Sequence, residues 1–325
     1  MITRLDYKNH DEWLALRKGY IGGSDAASIV GLNPYSSPYT LWAEKTNRIP
    51  SFEGNLATEI GTYLEEFIAK KFEAVTGKKV RRLNKSLVNS RYPWAIANID
   101  RDIIGEDAGL EIKSTSALNL KKFKKGEFPS NYYVQCVHYL AVTEKIRWYL
   151  AVLIGNQDFK IYQLTRIEND TVPEWCESSV YIEDAEISAL MGAEEEFMHY
   201  VKTNTPPPLD GIKSTSSTLS TMYPESNEDV VNLYGYVKEL TEYLALLNQL
   251  KKLEERKDEI ANKIKTVLGA AGKGDCDPYK VSWLSTERET FNGKKFVKDH
   301  PEMDFTNYYS RTSYRIFKVT EKKEN

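Results

Sequence analysis

The segment Asn98-Ile99-Asp100-Arg101-Asp102-Ile103-Ile104-Gly105-Glu106-Asp107-Ala108-Gly109-Leu110-Glu111-Ile112-Lys113 mixes apolar and polar residues on both sides of a Gly105-Glu106-Asp107 turn. It predicts two strands joined as a hairpin. Asp100 falls on the first strand, and Glu111 and Lys113 on the second. Side chains alternate along a strand, so Glu111 and Lys113 share a face, and a hairpin of this length brings Asp100 beside Glu111. Two carboxylates on one sheet face form a hard-oxygen site suited to Mg²⁺. A lysine two residues on can orient or activate an attacking water and offset developing negative charge. A salt-bridged surface hairpin uses the same residue types, and the D-x₁₀-E-x-K pattern alone does not separate the two readings.

Around the hairpin the periodicity changes twice. Upstream, Glu12–Lys18 reads as a short helix, and Ser24 is a helix cap before Asp25-Ala-Ala-Ser-Ile-Val30,. Thr58–Thr76 is a longer helix, with Ile60, Leu64, Phe67, Ile68, Phe72 and Val75 at helical spacing and Gly77 at its end,. The β-like runs Lys79–Asn89, Trp94–Ile104 and Gly109–Thr115 follow. Asn131–Thr143 returns to helix, Arg147–Ile154 and Phe159–Leu164 are strands, and Pro173–Thr203 is helical and acidic. This order predicts an α/β fold: a mixed sheet flanked by helices. Pro206-Pro-Pro208 and the Ser/Thr-rich Ser214–Thr221 read as a linker, so the expected domains are 1–205 and 206–325,. In the second, Leu233, Val237, Leu240, Leu244 and Leu247 repeat with 4-3-4-3 spacing and continue loosely through Ile260, Ile264 and Val267, as in a coiled coil or helical hairpin,. Tyr279–Trp283 and Tyr308–Val319 look like β structure.

Composition narrows the class. With 325 residues, 41% hydrophobic and 12% aromatic, the chain has material for a real core,. No apolar run approaches the roughly 18–20 residues of a membrane helix, and the first ten residues hold no signal-peptide core. Cys136, Cys176 and Cys276 are scattered and form no CxxC pair, which argues against a disulfide framework, a zinc site and an iron–sulfur cluster,. The expected setting is a reducing cytoplasm. The formal charge of −3 conceals a marked division: residues 70–125 carry +8 and residues 126–205 carry −8. A +8 field, with Lys121, Lys122, Lys124 and Lys125 in one run, can hold a phosphate backbone; solvated surface lysines are the plainer account. The four histidines are dispersed, and Tyr132, Tyr133 and Tyr139 read as core and rim.

Three neighbours strengthen the carboxylate reading. Glu65 lies on the long helix before the strands, Gln135 lies on the helix after them, and Arg17 and Ser24 flank a flexible Gly22-Gly23 that leads into a helix start suited to phosphate,. Arg17–Gly31, Asn33-Pro34-Tyr35, Leu41-Trp42, Gly61-x₃-Glu65, Asp100, Glu111-x-Lys113 and Gln135, in that order, resemble the YqaJ-type viral recombinase family. Its members are relatives of lambda exonuclease within the PD-(D/E)xK nuclease superfamily. The resemblance covers about residues 10–200, and the C-terminal module resembles the extension of full-length members. Ile99 stands where the superfamily has its proline, which supplies no chemistry.

The resemblance implies a restriction-endonuclease-like core and a Mg²⁺-dependent 5′–3′ exonuclease, with Mn²⁺ as a substitute ion. Such an enzyme degrades one strand of linear duplex DNA and leaves a 3′ overhang. Asp100 and Glu111, with the Ile112 carbonyl, would hold the metal; Glu65 would hold a metal or its water. Lys113 would act on the water and Gln135 would support the site. Arg17 and Ser24 would grip the 5′-terminal phosphate. Asp102 shares the strand face of Asp100 and competes with it for the ligand role. By resemblance the chain is a homo-oligomer such as a trimeric ring, of phage or prophage origin, and works with a single-strand annealing recombinase of the RecT/Redβ-like kind. The alternatives are a sequence-nonspecific endonuclease and a non-catalytic DNA-binding recombination adaptor.

Overall fold

A computed structural model describes residues 1–322. The chain begins with β1 (Ile2–Leu5) and α1 (His10–Lys18); Asn9 caps this helix by accepting the Glu12 N–H,. β2 (Ile21–Gly22) runs directly into α2 (Gly23–Ile29), and α3 (Pro38–Lys45) starts at the Ser37 cap with proline in its first turn,. α4 (Leu56–Thr76) is capped by Asn55 and stops at Gly77, whose φ of 72° only glycine adopts without strain,. Four short strands follow: β3 (Val80–Arg81), β4 (Ser86–Asn89), β5 (Ala95–Ile96) and β6 (Arg101–Ile103). Next come the long β7 (Ala108–Thr115), a 3₁₀ segment (Ala117–Phe123) and α5 (Ser130–Thr143). β8 (Arg147–Ile154), β9 (Asp158–Thr165), β10 (Ser178–Tyr181), α6 (Asp184–Thr203) and α7 (Lys213–Met222) complete the first unit, Met1–Tyr223.

Six strands form one mixed sheet in the order β10-β9-β8-β7-β6-β3. β7 and β8 are parallel, joined through α5, and β6–β7 and β8–β9 are antiparallel. The central strands are covered on both faces, which suits the nearly continuous apolar run of β8,. On one face Trp148, Leu150 and Val152 pack with Val137 and Leu140 of α5. On the other, Tyr149 and Ala151 pack with Ile68, Ala69 and Phe72 of α4. Ile21, Trp42, Phe197 and Met198 make a third cluster. The α/β class expected from the element order is therefore the observed one.

Several expectations change. The runs Lys79–Asn89 and Trp94–Ile104 are each broken, because β4 and β5 pair with β1 and β2 and leave the large sheet to β3 and β6. Residues 173–183 are not helical: Ser178–Tyr181 is a strand laid parallel on β9, and the helix starts at Asp184. Along α4, Ile60, Phe67 and Val75 are exposed, and the buried side is Ile68, Ala69 and Phe72. The expected linker contains α7, which packs on α3 through hydroxyl groups. Thr215 Oγ1 donates to Ser37 Oγ at 2.6 Å, and the Thr40 and Thr218 hydroxyls lie 2.9 Å apart. The first unit therefore extends to Tyr223 rather than 205.

The second unit begins at Pro224. It contains α8 (Val237–Leu268), the hairpin of β11 (Lys273–Cys276) and β12 (Tyr279–Ser282), and α9 (Gly293–Asp299). Leu233 precedes α8, so it stands outside the heptad pattern, and α8 buries none of its residues. Among the described residues, 308–319 form no strand.

Candidate active site

The β6–β7 register pairs Arg101 with Leu110 and Asp102 with Gly109; continued by one residue, it sets Asp100 opposite Glu111. Leu110 and Ile112 face α4, while Glu111 and Lys113 face α5. The Ile112 N–H donates to Asp100 Oδ2 at 2.7 Å, and Lys113 Nζ lies 2.6 Å from Glu111 Oε1. Gln135 Nε2 donates to Glu111 Oε1 at 2.7 Å and to the Tyr139 hydroxyl at 3.0 Å, and that hydroxyl donates to the Asn98 carbonyl at 3.1 Å. Asp100, Glu111, Lys113 and Gln135 therefore meet at one place. Lys113 also lies over the Tyr132 ring, 5.5 Å from its centroid,.

The electrostatics of this group are strained. Glu111 is 2% exposed, and its Oε2 has no hydrogen-bond partner among the described residues. Burial, reinforced by the Glu111 carboxylate, pushes the Asp100 carboxyl well above its ordinary range; burial also raises Glu111,. Lys113 loses hydration too, but the two carboxylates outweigh this and raise its pKa. With both carboxylates ionised, one shared lysine leaves the cluster a cation short, a deficit that a proton on Asp100 meets when no metal is bound. An oxygen-seeking divalent ion fits that deficit, and the orphaned Glu111 oxygen is a ligand atom already stripped of water. No cluster of three or more His, Cys, Asp or Glu side chains suited to a metal occurs among the described residues, so the side-chain donors here are the two carboxylates.

Glu65 lies within electrostatic reach of both carboxylates but is held by arginines, and Asp102 is committed elsewhere. Glu65 accepts from Arg82 at 2.7 Å and from Arg101, so its carboxylate is held by two guanidinium groups. Asp102 does not join Asp100: it binds Arg81 at 2.8 and 2.6 Å and Lys145 at 2.9 Å. Burial opposes its ionisation, yet Lys145 and Arg81 hold its pKa below the usual carboxylate range. Arg101 had no role from sequence. It is buried, and besides Glu65 it contacts Glu66 at 3.0 Å and the Asp100 carbonyl at 2.7 Å, thereby bracing the first strand of the hairpin. Its place between two aspartates on an alternating strand was the available signal.

Arg17 and Ser24 are brought together as expected, with Arg17 Nη2 donating to Ser24 Oγ. Gly23 is needed behind them, since a Cβ there would come within 2.8 Å of the Tyr139 ring. Through Tyr139 and Gln135 this turn leans on the residues that hold Glu111. Lys121, Lys122, Lys124 and Lys125 are exposed around buried Phe123 and enter no ion pair among the described residues. Much of the remaining positive segment is already paired, as in Arg81–Asp102, Arg82–Glu65 and Lys78–Glu106.

Sheet, flanking helices and hairpin define a mixed α/β protein with a buried carboxylate–lysine site. Residues 12–146 match the YqaJ-like viral recombinase domain. The uncharacterized protein YqaJ of Bacillus subtilis (strain 168) is 34% identical over 319 residues, covering 96% of this chain and 95% of that protein. The chain belongs to the YqaJ family. Protein D345L of African swine fever virus (strain Badajoz 1971 Vero-adapted) is 46% identical over 55 residues, 17% of this chain and 16% of that protein. Among solved structures, an alkaline exonuclease (LHK-Exo) from Laribacter hongkongensis superposes with a TM-score of 0.47 at 16% identity, covering 60% of this chain and 94% of that one. No helix among the described residues is long and apolar enough to cross a membrane.

Proposed function

We propose that the chain is a metal-dependent deoxyribonuclease that degrades the 5′-ended strand of linear duplex DNA and leaves a 3′ single strand for recombination. The observation that carries this reading is the buried Asp100–Glu111 pair with Lys113 against it and one Glu111 oxygen unpartnered. Membership of a viral recombinase family supports it. Asp100, Glu111 and the Ile112 carbonyl would hold Mg²⁺, with Mn²⁺ as a substitute, and Glu65 stands at the edge with its charge shared by two arginines. The bound ion supplies Lewis acidity for phosphodiester hydrolysis.

The protein's own groups have distinct tasks. The Ile112 N–H and Gln135 fix the two carboxylates, so no reorganisation is needed when substrate arrives. Lys113 stays protonated between them and is placed to offset negative charge that grows on the phosphate. Arg17 and Ser24 grip a terminal 5′-phosphate, the guanidinium supplying charge and the hydroxyl a hydrogen bond. Lys121, Lys122, Lys124 and Lys125 hold the backbone through salt-sensitive contacts. A ring-forming homo-oligomer, an annealing recombinase partner and a cytoplasmic site of action complete the proposal.

Linear and covalently closed duplexes, the linear one labelled at either end, test it with and without Mg²⁺. Loss of the 5′-ended strand from linear DNA alone, only with the ion, is the expected result. Cutting of closed circles would instead indicate an endonuclease, and tight binding with no cleavage a non-catalytic adaptor.

A further inference from the structure

The turn that carries Arg17 and Ser24 is organised by a buried ion pair outside the groups named above. Asp25 is 8% exposed. Its Oδ2 lies 2.9 Å from Lys45 Nζ and accepts the Gly22 N–H at 3.1 Å, and its Oδ1 lies 3.5 Å from Arg17 Nη2. Lys45 is itself buried and donates to the Tyr20 carbonyl at 2.6 Å. Lys45 on α3 is thereby tied to the segment between α1 and α2. The Arg17 guanidinium is divided between the Asp25 carboxylate and the Ser24 hydroxyl, and it keeps a third of its side chain in solvent.

A helix cap would explain the Gly22 contact alone. It does not explain why a buried carboxylate also touches the partly exposed Arg17 side chain, or why a lysine with a buried side chain answers it. A carboxylate so close to a phosphate-binding arginine would repel the phosphate unless its charge were cancelled from behind. Lys45 is placed to do that, and it also faces the half-buried Glu44 carboxylate, which lies within electrostatic reach of Asp25 and Arg17.

We propose that Asp25 and Lys45 together are positioning residues of the end-binding site: Asp25 holds the Arg17 guanidinium against Ser24, and Lys45 offsets the Asp25 charge from behind so that Arg17 is left to meet the phosphate. This rests on the reading of Arg17 and Ser24 as the grip on a 5′-phosphate. Burial disfavours an ionised Asp25, but Lys45, Arg17 and the Gly22 N–H outweigh it and keep its pKa below the ordinary value, consistent with a permanent counter-charge. The two residues act as one device, so their removal is non-additive.

The test measures, for the full-length chain in EDTA, the ratio of Kd for a short duplex ending in 5′-hydroxyl to that for the same duplex ending in 5′-phosphate. The ratio cancels the folded fraction of each preparation and any general gain or loss of DNA affinity, so a merely structural role would leave it unchanged. Wild type is expected to prefer the phosphate. Asp25→Asn and Lys45→Met are each expected to lower the ratio about tenfold, in the range of mispositioned binding groups. Asp25→Asn/Lys45→Met is expected to show the same loss as the single variants, not their product. Single variants with the wild-type ratio, or a double variant whose losses multiply, would overturn this inference while leaving the end-grip reading in place. A wild type indifferent to the end phosphate would overturn the end-grip reading itself, and the inference with it. If a single variant does not fold, the double variant, which buries no lone charge, carries the measurement: a wild-type ratio there refutes the proposal.

Discussion

Asp100 and Asp102 stand two residues apart on one strand face, yet the fold treats their charges in opposite ways. Asp100 is pressed against Glu111, and its ionised form is the one the fold disfavours. Asp102 is held by Arg81 and Lys145, and its ionised form is the one the fold prefers. The pKa of Asp102 in the folded chain lies below the unfolded value. Its stabilisation is therefore present above that unfolded value and lost as the pH falls through the folded one. Asp102→Asn should lower stability near neutral pH by roughly 1–3 kcal/mol, with the difference from wild type closing in acid. Asp100→Asn should do the reverse in metal-free protein, raising the melting temperature by relieving a buried like-charge pair while abolishing cleavage. Thermal melts in EDTA at neutral and acid pH, with an activity assay alongside, check both; a destabilised Asp100→Asn would contradict the arrangement. Sequence placed both aspartates on the right strand face. The family resemblance favours Asp100, but strand alternation does not rank them, because the physical difference comes from Arg81 and Lys145, which lie 21 and 43 residues from Asp102.

At the scale of elements, α4 shows what periodicity leaves open. Its apolar residues span more than one helix face, and the sheet accepts only the stripe through Ile68, Ala69 and Phe72,. Phe72 is fully buried and packs against the Tyr149 ring at a centroid distance of 5.7 Å, whereas Phe67 is 56% exposed. Phe72→Ala should cost about 3–5 kcal/mol and Phe67→Ala less than about 0.5 kcal/mol, as read from denaturant unfolding midpoints. Similar losses at both positions would mean that α4 presents a different side to the sheet. β10 marks a second limit. Ser178–Tyr181 is short and polar at its start, and it is a strand because β9 offers an edge to pair with,.

For the molecule as a whole, the unit boundary is the main consequence. The Ser/Thr-rich stretch after 206 has the composition of a linker, but Thr215 and Thr218 are buried against Ser37 and Thr40. A chain ending at Tyr223 should fold with a melting temperature several degrees above one ending at Thr205, which would leave these hydroxyls and the Tyr39 and Leu41 region uncovered. Equal melting by circular dichroism would show that α7 adds nothing to the first unit. Charge follows the same logic. The net −3 contains a +8 segment, yet much of that segment is spent within the fold, and the lysines at 121–125 remain outward.

The amino-acid order by itself determined the mixed α/β class, the hairpin that sets Asp100 opposite Glu111, and the nearness of Arg17 and Ser24. These depend on periods of 2 and 3.6 residues, on turn residues, and on side chains close together along the chain. The tertiary structure alone decided what Asp102 is paired with, which face of α4 is buried, where the first unit stops, and that Arg101, Asp25 and Lys45 stand behind the other charged groups. Each of these depends on a partner brought from a distant element. A charge has a role only once its counter-charge is placed, and local sequence does not contain that placement.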